Sequence, residues 1–421
     1  MPQKKLKIGL LGCGTVGRGL VELVTKNDSL IRQRTGVELG ITKILVRDLA
    51  KPRPGVDRAL LTTDADKVLK NGCDMVVELV GGIEPARSFV RQSLHRGKHV
   101  VTANKALLAL EGFSLMKAAN ARRVRLGFEG SVCGGIPIIR ALRNGLVGNN
   151  IQNISGILNG TCNYILTRMT ENGMDFGQAL GEAQARGFAE TDPSLDVDGY
   201  DAAQKLKILA ELAFGSELAS DAVQVEGIRE ITAGDVEAAR ELGYVIKHVA
   251  IAEVVDDKLA LRAGPTLIPR GHPLAGIREE NNAVIVRGNE VGEMLFSGKG
   301  AGSLPSASAV LSDVIDIACH NGGFSASATP RARETADVLD SRYYLRFTVN
   351  EPSAIGPITA MLERDGIEVT RAAAVWSRNA AAEHQVRLVT GGASHKGLRG
   401  SVQAIVKQGH TTHNLALPII M

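Results

Sequence analysis

The chain has 421 residues, enough for two or three domains that each bury a core, and its 44% apolar and 22% charged residues are ordinary for a globular protein. A net charge of only +4 and an aromatic fraction of 4%, with no aromatics clustered beside Lys and Arg, disfavour a nucleic-acid partner. No apolar run approaches the about 18 residues of a membrane span. The basic and apolar start MPQKKLKIGLLGCG breaks at Gly12, too early for a signal peptide, and the five cysteines are odd in number without zinc-like spacing. A reduced, cytoplasmic protein is expected.

In chain order, LKIGLL (6–11) reads as a short buried strand and Gly14 to about Lys26 as a helix. Further strands are expected at 41–46, 74–80, 98–104 and 124–129, with helical stretches such as ARSFVRQSLHRG and LLALEGFSLMKAANAR between them. This alternation predicts a doubly wound parallel sheet, an α/β nucleotide domain of Rossmann type.

Between the first strand and helix stands G12-C-G-T-V-G17. In a GxGxxG turn Gly12 permits the tight bend, Gly14 admits a pyrophosphate close to the backbone, and Gly17 lets helix and strand pack. Thr15 and Val16 then open the helix whose N-terminus favours anions. The competing reading is a glycine-rich turn with no ligand. An acid for a ribose hydroxyl is expected roughly 20 residues on, but Glu38 falls at the start of the second strand and the strand ends in Arg47-Asp48. Arg47 suits a 2′-phosphate, which favours NADP over NAD.

VVTANKALLA (100–109) runs from a strand into polar residues. That places Thr102, Asn104 and Lys105 at the carboxyl edge of the sheet, where ligands of such folds bind. The alternative is a plain helix start, Asn104 its cap and Lys105 in solvent. Residues from about 150 to 300 are of mixed α and β character and hold five carboxylates within AETDPSLDVDGYDAAQKLKIL, namely Glu190, Asp192, Asp196, Asp198 and Asp201. An EF-hand fails because Lys205 occupies the position of the bidentate Glu, and no His or Cys supports zinc. A solvated acidic turn is the generic reading. Against it, Asp201 and Lys205 share a face of the helix expected from about 200 to 213, an arrangement suited to a substrate with a cationic amine and a reacting oxygen.

Residues 320–341 are small and polar, and read as a linker. From 342 to 421 the pattern is βαββαβ, the ferredoxin-like order.

Six blocks resemble homoserine dehydrogenases, in that family's order: GLLGCGTVGRG, VVELVGGIEPAR, GKHVVTANKALLA, GILNGTCNYIL, GFAETDPSLDVDGYDAAQKLKIL and GKGAGSLPSASAVLSD. The tail resembles an ACT domain, as in the long form of these enzymes. The resemblance implies NAD(P)-dependent interconversion of L-homoserine and L-aspartate 4-semialdehyde, within threonine, methionine and isoleucine biosynthesis. It implies a Rossmann domain over 1–135 plus about 300–320, an α+β substrate and dimerisation domain over 136–299, and a homodimer or homotetramer. By the same resemblance, Lys205 transfers the proton, Lys105 lies between nicotinamide and substrate, and Glu190 and Asp201 bind substrate. Gly187 and Asp196 lie in the same pocket block, with Asn159, Thr161 and Asn163 as its neutral wall. Val16, Arg47, Thr102, Lys105 and Gly302 match cofactor contacts. The run 129–136 resembles a sodium or potassium loop with Glu129, Val132, Gly134 and Ile136 as ligands. Threonine is the expected effector of the ACT domain, although N350-E-P-S-A-I-G356 departs from the usual Asp-x-Pro-Gly turn.

Two rivals remain in view. A sugar or polyol dehydrogenase shares Lys105 but has no need of acids for an amine, and a sensor without catalysis has no need of both lysines. Aspartate-semialdehyde dehydrogenase is excluded, since its acyl chemistry requires a cysteine with a histidine base.

Overall fold

The computed structural model describes residues 4–70, 72–320, 333–336, 340–375 and 384–420. Most of the linker expected at 320–341 lies outside them. The chain divides into two compact units, one of 1–154, 204–222 and 281–332, the other of 155–203, 223–280 and 333–421.

In the first unit, β1 (Lys4–Leu11), β2 (Val37–Leu45), β3 (Leu61–Thr62), β4 (Met75–Glu78), β5 (His99–Thr102) and β6 (Leu126–Gly127) form one sheet in the order β3-β2-β1-β4-β5-β6. Every pairing is parallel. Helices cover both faces, so the middles of the central strands are apolar, with Ile8, Leu10, Leu11, Met75, Val76 and Val77 all fully buried. β3 escaped the sequence reading because two residues carry no periodicity. β2 begins at Val37, earlier than expected, and its Glu38 pairs with Lys5 and Arg32 at the strand's start, far from the ligand edge. Helix Ser303–Cys319 returns to pack on helix Thr15–Lys26, where Ala307, Val310 and Val314 join Leu10, Leu20 and Val24 in one apolar core. A side chain at Gly19 would meet the Ser303 carbonyl at 2.9 Å, so the crossing requires glycine. Strand β7 (Ile151–Ile157) carries the chain from this unit into the other.

In the second unit, β8 (Gln224–Val225) adds in parallel to a long antiparallel hairpin of β9 (Tyr244–Val255) and β10 (Lys258–Pro269). The hairpin turns through Asp256 and Asp257, both at positive φ, as a two-residue turn with right-handed strand twist demands. In the first unit β11 (Asn281–Gly288) and β12 (Gly292–Lys299) form a further hairpin.

Residues 342–419 fold as β13 (Arg342–Val349), helix Ile355–Arg364, β14 (Val369–Val375), β15 (His384–Thr390), helix His395–Lys407 and β16 (His413–Ile419). The antiparallel order β16-β13-β15-β14 is ferredoxin-like. This segment is fastened to the rest of its unit. β16 meets β10 at Leu267, and Arg346 pairs with the buried Asp235, which also accepts from the Tyr344 hydroxyl. Asp235 in turn closes a capping box with Thr232 at the head of helix Ala233–Glu241. Burial, and then the nearby Asp235 charge, push the Tyr344 phenol far above its ordinary range, so that hydroxyl stays a donor.

Candidate active site

The glycine turn sits at the carboxyl end of β1. Gly12 has φ +96°, and a side chain there would strike the Leu79 carbonyl at 2.6 Å. One at Gly17 would strike the Gly12 carbonyl at 2.5 Å. At Gly14 the same addition meets nothing, because that face opens on the cleft. Gly14 is also the N-cap of helix Thr15–Lys26 and offers no side-chain cap, which leaves the helix N-terminus for an anion. The cleft has a volume of about 640 Å³, and Arg47, Asp48, Lys51 and Arg53 line it. Cys13 is also on its wall. Burial holds its thiol above the usual range against the pull of Arg53 and Arg18, so it is a neutral surface. Gly302, at φ +128°, caps helix Ser303–Cys319, and the Ser303 hydroxyl donates to the Thr15 carbonyl at 2.8 Å.

At the ends of β4 and β5 the fully buried Glu78 organises the edge. One carboxylate oxygen accepts from the Val80 and Gly81 N–H groups, and the other from the Thr102 hydroxyl at 2.6 Å. Thr102 Oγ1 accepts from the Asn104 N–H, and Asn104 caps helix Lys105–Ala121 through Leu107 N. The two readings of VVTANKALLA therefore coexist: Asn104 is a helix cap, and Lys105, half-buried, starts the helix at the ligand edge of the sheet. Glu78 was missed by sequence reasoning. Its signal was a lone carboxylate inside the apolar run DMVVELV. Lys51 and Arg53 were missed as well, since nothing in a loop sequence shows that it folds toward Arg47.

Most of the loop at 129–136 is buried, with Gly135 exposed. Glu129 accepts from the Ile139 and Arg140 N–H groups at 2.8 Å each, while burial raises its carboxyl above the ordinary range against those bonds. Gly134, at φ +38°, approaches the Gly300 carbonyl too closely for any side chain. Among the described residues, no backbone N–H donates to the Val132 or Gly134 carbonyl, whereas Ile136 O accepts from Ile138 N.

In the second unit the acidic stretch sorts itself. Asp192 accepts from Ser194 as a turn cap, and Asp198 pairs with Arg229 at 2.5 Å. Asp196 and Asp201 face inward instead. The Asn159 amide donates to Asp196 Oδ1 at 2.6 Å and Asp201 Oδ2 at 2.9 Å, and the Thr161 hydroxyl lies 2.7 Å from the Phe188 carbonyl and 3.2 Å from Asp196 Oδ2. Asp201 is buried in the first turn of helix Tyr200–Phe214, and the buried Lys205 stands one turn further along that helix. Gly187, at φ +75°, and the exposed Glu190 belong to the loop that leads into this stretch; the Glu190 carbonyl accepts from Gln184. The structure thus joins Asn159, Thr161, Asp196 and Asp201, and leaves Glu190 outside that bonded group. Asn163 is committed elsewhere, to Lys247 and the Ile277 and Glu279 carbonyls.

Beneath the turn at Gly199 lies a bed of residues that no motif announced. Gly199 has φ +88°, and a side chain there would meet His248 Nε2 at 3.0 Å. His248 donates from Nε2 to the Glu226 carbonyl, and burial pushes its pKa down to about 4. Burial likewise lowers Lys247 to about 8.

The strand order and the glycine turn over its cleft define a dinucleotide-binding domain of the doubly wound class. The model described as homoserine dehydrogenase, NAD binding domain, matches residues 12–129, and that described as homoserine dehydrogenase matches 137–315. The chain belongs to the homoserine dehydrogenase family. It is 48% identical to a homoserine dehydrogenase of Synechocystis over 318 residues, 74% of this chain and 73% of that protein. With that of Corynebacterium glutamicum it shares 40% over 380 residues, 87% of this chain and 85% of the relative. A homoserine dehydrogenase structure from Thiobacillus denitrificans superposes with a TM-score of 0.91 at 37% identity, covering 99% of this chain and 98% of the other. A hyperthermophilic archaeal homoserine dehydrogenase in complex with NADPH superposes with a TM-score of 0.64 at 28% identity, over 74% of this chain and 97% of that one. Among the described residues no helix is long and apolar enough to cross a membrane.

Proposed function

We propose that this chain interconverts L-homoserine and L-aspartate 4-semialdehyde with NADP or NAD. The observation that carries the reading is the pair Asp196 and Asp201, held side by side at the head of the helix that bears Lys205. Two carboxylates suit the cationic amine of homoserine, and a lysine one turn away suits its alcohol oxygen. The bound nicotinamide supplies the hydride acceptor. As the carbinol hydrogen leaves, Lys205 takes the hydroxyl proton and the carbon–oxygen double bond forms; in reduction Lys205 returns that proton. Asp196 and Asp201 retain the amine, with Glu190 in the loop that leads to them as a further acid, and Lys105 at the carboxyl edge of the parallel sheet is the lysine of the nicotinamide side.

Arg47 with Lys51 and Arg53 on one cleft wall supports a 2′-phosphate and hence NADP. The loop at 129–136 fits a hard monovalent cation. Glu129 would supply a carboxylate, and the Val132 and Gly134 carbonyls, to which no backbone N–H donates among the described residues, and that of Ile136 would supply oxygens. Such an ion would fix the loop. The ferredoxin-like segment is read as an ACT domain, with threonine as effector and self-association through the exposed edge of β14.

The test is turnover of L-homoserine by the purified chain with each cofactor, with and without threonine. Nicotinamide reduction that depends on homoserine and favours NADP is expected. Oxidation of polyols but not homoserine, or no turnover at all, would overturn the reading.

A further inference from the structure

Every polar atom of the Asn159 side chain is committed. Its Oδ1 accepts from the Cys162 N–H at 2.8 Å, which caps helix Gly160–Asn172. That bond orients the amide, so Nδ2 must face the acids, where its two hydrogens serve Asp196 Oδ1 and Asp201 Oδ2. Asn159 is only 3% exposed. It keeps no donor for a ligand.

Two carboxylates brought to one amide repel each other, and without a donor between them each would turn to other partners or to water. The amide gives both a charge-assisted hydrogen bond, the stronger kind, and it reaches them from a rigid helix start. The two acids come from separate positions, Asp196 in the short helix Ser194–Val197 and Asp201 in the next helix.

We infer that Asn159 is a positioning residue, which fixes the separation and orientation of Asp196 and Asp201 for a cationic amine and does not itself bind substrate. The inference rests on the homoserine reading, and wild-type turnover of homoserine checks that reading independently.

Asn159→Ser is the decisive variant. Serine caps helices as well as asparagine but is too short to bridge the acids. Asn159→Ser is expected to melt within a few degrees of wild type and leave the KM for NADP unchanged. Its KM for homoserine should rise roughly 10–100-fold, the worth of a hydrogen bond to a charged group. Added to Asp196→Ala, Asn159→Ser should cost far less than it does alone, because both act through one carboxylate pair. Asn159→Ala should lose the same homoserine affinity and, in addition, thermal stability. Homoserine kinetics restored by serine would assign Asn159 to helix capping alone and overturn the inference. Strictly additive effects of Asn159→Ser and Asp196→Ala would overturn it too.

Discussion

The nucleotide cleft and the acid pocket are built on opposite plans. The glycine turn of the cleft is made of backbone: a positive-φ glycine, a bare helix N-terminus and an open face at Gly14, all within six residues at the end of β1. The pocket is made of side chains drawn from residues 159, 161, 196 and 201, which are brought together only by folding. A backbone site tolerates many side chains but no added atom at its close approaches. A side-chain site tolerates backbone adjustment but no loss of a donor. Each plan fails in its own way, and the predictions below use that difference.

The largest effect is expected at Lys205. Lys205→Ala should lower kcat by roughly 10²–10⁴-fold, the usual worth of positioned proton transfer, while the dissociation constant for NADP measured by fluorescence stays the same. Near-normal turnover would move the proton to Lys105 and make the pocket's plan less dependent on one side chain.

Next come the glycines. Gly12→Ala must place an atom against the Leu79 carbonyl at an unfavourable φ, and should cost about 1–3 kcal/mol in denaturant unfolding, with cofactor affinity lost alongside. Gly14→Ala has room in the free protein, so its unfolding curve should match wild type while NADP binding alone weakens. If both variants lost stability equally, the open face at Gly14 would not be a ligand cradle.

The bed under Gly199 predicts a pH dependence. His248 titrates near 4 in the fold and near 6.5 when unfolded, so the stability it contributes is complete above 6.5 and is lost as pH falls through 4. Melting temperatures between pH 7 and 4 should therefore fall less steeply in His248→Gln than in wild type. Parallel curves would locate the acid sensitivity elsewhere.

The two smallest effects separate specificity from surface charge. Arg47→Ala should weaken NADP by about tenfold or more and NAD little, as expected for a directional phosphate partner. Equal losses would remove Arg47 from the 2′-phosphate. Asp198→Asn breaks a half-exposed pair with Arg229 and should cost at most about 1 kcal/mol with unchanged homoserine kinetics. A catalytic defect there would mean that the outward acids share the pocket's work.

By itself the sequence determined what depends on near neighbours. Alternating apolar runs and helical stretches specified the parallel sheet, because strand and helix periodicities are local. The GxGxxG turn specified the nucleotide edge, because its conformational demand lies within the motif. The C-terminal βαββαβ order was legible for the same reason. Tertiary structure decided which acids of the 190–201 stretch face inward. Spacing could not separate Asp198 from Asp201, since the choice depends on Arg229 and Asn159, each about 30 or more residues away. It also decided that Glu78 would clamp Thr102 and that His248 would lie under Gly199. Both are contacts between strands and turns distant in the chain, and a buried polar group is selected by its partner's position, which no local pattern records.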